Sequence, residues 1–383
     1  MATAARRKTQ ERRWEELVRR YGPQRRRGWF PRAPLPADPW ACGEPAASDK
    51  LNVALLIPRS GPAGMFGLSC ELSARLAAEE LNQSDGAAGR ELRLIPVDGG
   101  AQPRQIAREA DRLISTGAVD AVVGWQTSAV RQVLTPTIRG RVPYVYTAQY
   151  EGGERSPGVF LLGETPARQL LPAMRLLSGE RRIRRWCVVG NDYVWPRVTA
   201  RAARRYARQC SAKIAAEMFV PLGTTDFAAV LRRIERCSAD AVLELLVGND
   251  AAQFNRAFAA AGLDARALRL STLMDENMLL ASGPDATRDL WAASGYFETL
   301  GTSEALSFGA SYARRFGVHA PPVGGPGESC YEGIRLLAAL CHGRPGFEGA
   351  RGPLTIQGNR VDQPVYLAEA DSLDFHVRTQ LQQ

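Results

Sequence analysis

The chain has 383 residues and a mass of 41.8 kDa, which exceeds the usual size of one domain and predicts two lobes. Its apolar fraction of 45% and charged fraction of 23% are typical of a globular protein and exclude wholesale disorder. The net charge is +9, but residues 1–50 hold 12 Lys or Arg against 6 Asp or Glu and the remainder holds 37 against 34, so a basic groove for nucleic acid across the body is not expected.

Residues 1–50 are predicted to form a basic, partly disordered tail. A short amphipathic helix is expected at residues 9–21, and the Pro- and Arg-rich stretch after it is typical of a flexible linker. The tail lacks the apolar stretch of a secretory signal, and no window of the chain reaches the length of a membrane span. As written, the protein is therefore expected in the cytoplasm, whereas a wrongly assigned start would place it in the periplasm or at the cell surface.

From Leu51 onwards, short apolar runs alternate with helical patterns. Strands are predicted at 51–57, 91–97, 119–124 and 142–147, with helices near 67–82, 103–116 and 128–138. A second set follows, with strands at 185–190, 213–221, 239–248 and 268–274 and helices near 196–209, 226–237 and 250–261. Continuous apolar strands that alternate with helices indicate parallel, doubly wound sheets covered on both faces.

The remaining elements are predicted as a strand at 291–297, helices near 302–315 and 328–341, and a β-hairpin over 352–370. The predicted fold is α/β, with two doubly wound parallel-sheet lobes around a cleft. The predicted N-terminal lobe comprises residues 51–168 and 299–345, and the C-terminal lobe comprises 169–298 and 346–383. The chain is expected to cross between the lobes near 165–170, 296–300 and 343–352.

The loops after the strands should line the cleft, because ligands of open parallel sheets bind beyond the carboxyl ends of the strands. Tyr193 and Trp195 lie at alternate positions in one such loop, where they could contact a ligand or simply cover the end of the sheet. Pro196 favours ligand contact, since proline prefers the first turn of a helix and so leaves both aromatics before it. Asp275 and Glu276 are adjacent carboxylates, of which one either faces a ligand or stabilises a helix N-terminus.

Signatures of catalysis are missing from the sequence. The three His residues occur late in the chain, and no nucleophile elbow, phosphate-binding loop or zinc-protease motif is found. The seven Cys residues have no paired spacing, which indicates reduced and mostly buried thiols rather than a metal site. We therefore expect neither an enzyme nor a cofactor.

The elements and motifs resemble the type I periplasmic-binding-protein family, and in particular its amide- and urea-binding branch. This branch includes the binding components of urea and short-chain amide ABC transporters and the cytoplasmic amide sensor of an aliphatic amidase operon. The similarity covers about residues 51–371. The most specific motif is G-x-D-Y-x-[YW]-P-R, and the others are Y-E-G with a following S-P, V-G and G-P. In this chain they occur at Gly190–Arg197, Tyr150–Gly152, Ser156-Pro157, Val247-Gly248 and Gly352-Pro353.

The resemblance implies where a ligand binds. It points to Ser128, Tyr146, Ala148, Tyr193 and Trp195, and less directly to Glu276. Relatives usually have Thr where this chain has Ala148 and Tyr where it has Trp195, so a hydroxyl is lost and apolar area is gained. Acetamide and urea are therefore less favoured than a bulkier amide or an amino acid.

The resemblance implies a non-enzymatic protein that closes on a small amide, urea or amino-acid-like ligand. Its partner would be a regulatory protein if it is a sensor, or an ABC-transporter permease if it is exported. Two alternatives from other classes stay open: an amidase-like enzyme that uses the same cleft, and a nucleic-acid-binding protein that uses the basic tail. Nucleic acid is not the expected partner, and homo-oligomerisation is left open.

Overall fold

The computed structural model describes residues 49–382. The predicted helix at residues 9–21 and Cys42 lie outside the described residues. The fifteen strands of the described residues are β1 (Lys50–Ile57), β2 (Glu91–Asp98), β3 (Ala121–Gly124), β4 (Tyr144–Tyr146), β5 (Val159–Leu161), β6 (Arg185–Asn191), β7 (Lys213–Val220), β8 (Ala241–Leu245), β9 (Leu268–Ser271), β10 (Leu290–Ser294), β11 (Gly346–Gly349), β12 (Gly352–Gln357), β13 (Arg360–Asp362), β14 (Tyr366–Asp371) and β15 (Asp374–Gln380).

Ten α-helices occur in the same part of the chain. They are α1 (Gly67–Asn82), α2 (Pro103–Ser115), α3 (Ser128–Ile138), α4 (Pro166–Glu180), α5 (Val194–Gln209), α6 (Ala228–Cys237), α7 (Asn249–Ala260), α8 (Glu276–Ser282), α9 (Ser303–Phe316) and α10 (Gly324–His342). None of these helices combines the length and the apolar composition needed to cross a bilayer.

The strands form two sheets, one in each lobe. The first sheet has the order β11-β12-β13-β5-β4-β3-β1-β2 and the second has the order β15-β14-β10-β9-β8-β6-β7. Strands β1 to β5 are mutually parallel, as are β6 to β10. The central residues of the inner strands are almost completely buried, as expected for strands covered by helices on both faces, whereas the edge strands β2 and β7 are mostly half-buried. The predicted fold class, two doubly wound α/β lobes, is confirmed.

The chain crosses between the lobes three times: at residues 162–165, at 295–302 and at 363–365. The third crossing differs from the prediction of 343–352. The predicted boundary assigned residues 346–383 to the C-terminal lobe, whereas β11, β12 and β13 belong to the first sheet. Pairing of β13 with β5, through Arg360 and Leu161, attaches these strands to the first lobe.

The predicted hairpin over 352–370 is wrong for the same reason. Strand β12 pairs with β11 and β13, while β14 pairs antiparallel with β10 and β15 of the second sheet. The helix α4 was not predicted, because Pro166 at its start and Pro172 in its interior hide the helical pattern.

Candidate functional site

The two lobes contact each other directly across the cleft. The backbone N–H of Asn249 in the second lobe donates to the Pro62 carbonyl oxygen in the first lobe over 3.0 Å. The side chain of Gln149, after β4, donates to the Thr272 carbonyl oxygen, after β9, over 3.2 Å. A Cβ at Gly248 would lie 2.1 Å from the Pro62 carbonyl oxygen, so only glycine allows this approach. The structure is therefore a closed arrangement of the lobes.

The first-lobe wall of the cleft is built around the N-terminus of α3. Ser128 is the first residue of α3 and is 1% exposed. Its hydroxyl lies beside the Tyr146 hydroxyl, which donates to the Gln126 carbonyl oxygen over 2.8 Å. Within residues 49–382 the Ser128 hydroxyl lies next to the Tyr146 hydroxyl but forms no well-aligned hydrogen bond. A buried hydroxyl with spare hydrogen-bonding capacity at a helix N-terminus is suited to bind a carboxylate or an amide oxygen.

Arg131 stabilises the first-lobe wall through contacts with Glu151, Glu154 and Tyr146. Its buried guanidinium forms ion pairs with Glu151 and Glu154, and its central carbon lies 5.4 Å from the centre of the Tyr146 ring. Burial raises the pKa of Tyr146 although the nearby Arg131 opposes this. Tyr146 is therefore a neutral phenol, and the Y-E-G motif acts here through the ion pair of its glutamate.

The second-lobe wall carries Tyr193 and Trp195, whose ring centres are 6.3 Å apart. Tyr193 is the N-cap residue of α5, and Trp195 lies inside the first helical turn and is 3% exposed. The prediction that both aromatics precede the helix is therefore wrong for Trp195, because the helix begins two residues before Pro196. Burial raises the pKa of Tyr193 well above its usual value, and the neighbouring Tyr146 and Glu151 contribute. Tyr193 of the second lobe therefore lies close to Tyr146 and Glu151 of the first-lobe wall.

The remaining two predicted residues lie elsewhere. Ala148 is buried, and its carbonyl oxygen would lie 2.0 Å from a Cβ at Gly163, so its backbone packs on the first crossing. Glu276 accepts a hydrogen bond from the Glu298 backbone N–H over 2.8 Å, which directs it towards the second crossing. Its neighbour Asp275 caps α8 by accepting from the Met278 N–H over 2.9 Å.

A cavity of about 20 Å³ lies between the lobes beside the crossings, and we call it the hinge cavity. It has room for about one water molecule. Residues of both lobes line it, among them Trp125, Glu164, Thr272, Asp275, Tyr296, Glu328 and Arg351, whereas the six residues predicted for the site do not. Any organic ligand therefore has to be admitted by separation of the lobes.

Arg351 is the centre of a buried ion-pair cluster at the hinge cavity. It pairs with Glu332, with Glu328 at 3.1 Å and with Glu164 at 3.3 Å. Burial favours the neutral form of Arg351, but the carboxylates outweigh burial and raise its pKa. Burial also raises the pKa of Glu328 well above its usual range, with the Glu332 charge adding to the effect. Glu164 further accepts from the Gly295 N–H over 3.0 Å, so the cluster joins the first two crossings.

Sequence reasoning missed this cluster. Its members are separated by up to 187 positions, as Glu164 and Arg351 show, and no local motif connects them. Burial raises the pKa of Asp275 to about 7 and that of Glu276 to about 8. In the sequence, only Asp275 and Glu276 gave a signal of this buried acidic region, because two adjacent carboxylates are unusual in an apolar stretch.

Neither a metal site nor a contact between Ser128 and a His side chain is found in the described residues. In the described chain, no group of three or more His, Cys, Asp or Glu residues is arranged to hold a metal ion. His342 contacts the loop at Gly86 and Ala88, and His376 pairs with Asp371 at 3.1 Å. The Ser128 hydroxyl has neither as a neighbour.

The comparisons with known proteins agree on one family. A family model described as a periplasmic binding protein matches residues 50–343. The Leu/Ile/Val-binding protein homolog 6 of Brucella melitensis biotype 1 is 24% identical over 363 residues, which cover 86% of this chain and 90% of that protein. A leucine-, isoleucine-, valine-, threonine- and alanine-binding protein of Pseudomonas aeruginosa is 30% identical over 89 residues, or 23% of this chain and 24% of the relative.

Solved structures share the fold. An ABC transporter substrate-binding protein from Sphaerobacter thermophilus superposes with a TM-score of 0.74 at 22% identity, covering 86% of this chain and 97% of that one. A branched-chain amino acid transporter substrate binding protein from Streptococcus pneumoniae, in complex with isoleucine, gives 0.75 at 16% identity, with coverage of 86% and 98%. A solute binding protein from Rhodopseudomonas palustris HaA2, in complex with p-hydroxybenzoic acid, gives 0.76 at 19% identity, with coverage of 87% and 96%.

Proposed function

This chain belongs to the periplasmic binding protein family, and on that premise we propose that it is the solute-binding component of an ABC importer. It closes its lobes on a small organic molecule and releases that molecule unchanged to a permease. The observation that carries the proposal is the buried Ser128 hydroxyl at the N-terminus of α3, which has spare hydrogen-bonding capacity beside Tyr146 and faces the aromatic wall of the second lobe. Such a site can desolvate a small polar ligand and satisfy its hydrogen bonds at once.

The ligand class that fits best is amino-acid-like. The N-terminus of α3 and Ser128 offer N–H and hydroxyl donors to a carboxylate, and the carboxylates of the hinge cavity offer acceptors to an ammonium group. Relatives whose names refer to leucine, isoleucine and valine, and neighbours in complex with isoleucine or a benzoic acid, support a ligand that carries a carboxylate.

An amide or urea is the second candidate. Tyr146 and Tyr193 are both neutral phenols; the Tyr146 hydroxyl already donates to Gln126 and can accept from an amide N–H, whereas the Tyr193 hydroxyl can donate or accept. Ala148 offers no hydroxyl in return, which weakens this alternative.

A binding screen tests the proposal. Thermal unfolding of the full chain should be measured with aliphatic and basic amino acids, benzoate, acetamide and urea. A true ligand at a hundredfold excess over its Kd should stabilise the protein by about 2.7 kcal/mol. Ser128→Ala is expected to weaken binding by about tenfold or more, since it removes a buried hydrogen-bond partner, whereas exposed Ser307→Ala should not change it. Binding that is insensitive to Ser128→Ala would place the ligand elsewhere.

Two further measurements separate the alternatives. Product analysis after incubation with candidate amides should show no turnover, and hydrolysis would favour an amidase-like enzyme instead. Cell fractionation of the native protein should recover it outside the cytoplasm. Recovery in the cytoplasm would favour a ligand sensor whose partner is a regulatory protein.

A further inference from the structure

The second lobe contains two cysteines that lie side by side. Cys187 is the third residue of β6 and is completely buried. Its side chain adjoins that of Cys237, the last residue of α6, because α6 packs against β6. Both residues are thiols in this structure. Packing of a helix on a strand, rather than a local spacing, brings the two sulfurs together, which is why the sequence shows no paired Cys.

A hydrogen bond that involves neither thiol supports the same geometry. The Arg185 guanidinium donates to the Cys237 carbonyl oxygen. Alternate residues of a strand face the same side of its sheet, so Arg185 and Cys187 both face the end of α6. The C-terminal end of this helix is therefore held against the beginning of β6, with Cys237 next to Cys187.

The position of Cys237 allows the pair to react. Cys237 is 9% exposed and is followed by the exposed Ser238, so a reagent can approach it and the end of the helix can adjust its backbone. A second pair of adjacent cysteines, Cys70 in α1 and Cys330 in α10, differs in both respects. Both of its members are 0% exposed and lie inside helices. The pair in the second lobe is therefore the more reactive of the two.

We propose that Cys187 and Cys237 form a redox-sensitive site that is oxidised to a disulfide. The oxidant is itself a disulfide, on a small molecule or a protein. The Cys237 thiolate attacks one sulfur of the oxidant, which forms a mixed disulfide and releases the other sulfur as a thiolate. The Cys187 thiolate then attacks the Cys237 sulfur and displaces the second thiolate. The protein loses two protons and two electrons, and the S–S bond of the oxidant is reduced to two thiols.

The order of these two attacks follows from the surroundings of Cys187. Burial, followed by the neighbouring Cys237, raises the pKa of Cys187 to about 12. A thiol that is almost entirely protonated at neutral pH is a poor first nucleophile. Within the mixed disulfide, in contrast, Cys187 attacks a sulfur that packing holds beside it. Cys237 is therefore the attacking thiol and Cys187 the resolving thiol.

The inference goes beyond the proposed function and does not depend on it. Cys187 lies in the N-terminal half of β6, whereas the cleft lies beyond the carboxyl end of this strand, at Asn191 and Tyr193. A disulfide at Cys187 should therefore leave ligand affinity unchanged. It should instead raise the stability of the second lobe, because a cross-link between β6 and α6 restricts the unfolded chain.

Peptide mapping tests the inference directly. The purified full chain is first reduced, then incubated in its folded state with oxidised glutathione, and finally denatured with a maleimide that labels every remaining thiol. Trypsin releases Cys187 within residues 186–197 and Cys237 within residues 237–256, and each peptide contains a single Cys. We expect these two peptides to be joined and unlabelled in most of the molecules. Maleimide or glutathione left on either cysteine, or Cys237 joined to a different cysteine, would overturn the inference.

Thermal unfolding of variants provides an independent measurement. Oxidation should raise the Tm of the parent by several degrees, and that of Cys210→Ala equally, because Cys210 lies in the same lobe but outside the pair. Cys237→Ala should show no rise. Cys187→Val keeps a buried apolar side chain and should show none either, so it replaces Cys237→Ala if that variant does not fold. A rise of the parent's size in these two variants would show that other cysteines are responsible.

Discussion

At the scale of a single residue, burial of a carboxylate makes the free energy of unfolding depend on pH, and Glu276 is a clear example. It is 4% exposed, and burial, followed by the charges of Asp275 and Glu298, raises its pKa to about 8. In the unfolded chain a glutamate has a pKa of about 4.3. The folded state therefore binds more protons than the unfolded state between these values. The stability that Glu276 contributes is fully present below about pH 4.3 and is lost as pH rises through about 8.

Glu276→Gln should flatten this part of the pH profile. Glutamine keeps the oxygen that accepts from the Glu298 N–H but cannot ionise. We expect the variant to be more stable than the parent by about 1 to 3 kcal/mol at pH 9 and nearly equal to it at pH 5. Urea unfolding at both pH values measures the difference. Exposed Glu180→Gln is the control, and an unchanged slope in Glu276→Gln would contradict the assignment.

At the residue scale, the sequence is most informative about side chains near strand ends. Tyr146 is the last residue of β4, and Ser128 and Tyr193 lie shortly after β3 and β6, so the sequence could place each of them at the cleft edge of its sheet. Their contact with a ligand stays a prediction. The members of the hinge cluster could not be found in this way. Their meeting depends on how two lobes and two crossings pack, which no local spacing encodes.

At the scale of elements, α5 combines an amphipathic pattern with strong like-charge crowding. Five exposed arginines follow the spacing of one helix face: Arg197, Arg201, Arg204, Arg205 and Arg208. Arg197 pairs with Asp192 at 2.8 Å and Arg204 pairs with Glu217, whereas Arg201 has no ion pair with a described carboxylate. Residues 166–240 hold 15 Lys or Arg against 6 Asp or Glu, so this part of the chain has an excess of positive charge although residues 51–383 are nearly balanced.

Arg201→Glu should therefore stabilise the protein. The new carboxylate would lie one turn from Arg197, Arg204 and Arg205, and each such pair contributes about 0.2 to 0.5 kcal/mol. We expect a gain of about 0.5 to 1 kcal/mol in the free energy of unfolding, which should vanish at high salt because exposed pairs are screened. Urea unfolding at two ionic strengths measures it. Arg201→Gln separates the relief of repulsion from the new pairs, and a gain that persists at high salt would exclude the electrostatic cause.

Helices and strands could be predicted where the hydrophobic period of the sequence is unbroken, but the neighbouring strand with which each strand pairs could not. Both arms of the hairpin predicted over 352–370 do form strands, Gly352–Gln357 and Tyr366–Asp371, yet the two belong to different lobes. Alternation of side chains identifies a strand, whereas pairing depends on which edge is free once the rest of the sheet has formed. The pairing of these strands decides where the chain crosses between the lobes for the third time. Because the pairing was predicted wrongly, the position of the third crossing was predicted wrongly as well.

At the scale of the molecule, ligand binding and lobe closure are one equilibrium. A ligand favours the closed arrangement only to the extent that it gains contacts there that the open one lacks. The closed arrangement depends on a close backbone approach between Gly248 and Pro62, next to the hydrogen bond from the Asn249 N–H. Gly248 has a φ of +53°, in the region that glycine adopts most readily.

Gly248→Ala should separate closure from stability. The added Cβ would lie 2.1 Å from the Pro62 carbonyl oxygen, so it opposes closure, and it strains the backbone at φ +53°. Gly262→Ala is a control for modest backbone strain alone, because Gly262 lies in the left-handed helical region at φ +66° and ψ +19° and has nothing within 4 Å of its Cβ. Gly262→Ala should lose about 1 kcal/mol of stability and leave ligand binding unchanged, whereas Gly248→Ala, at φ +53° and ψ −119°, should lose more stability and weaken ligand binding by tenfold or more. Titration and small-angle scattering measure affinity and closure, and equal losses of affinity in the two variants would show that backbone strain, rather than the contact between the lobes, is responsible.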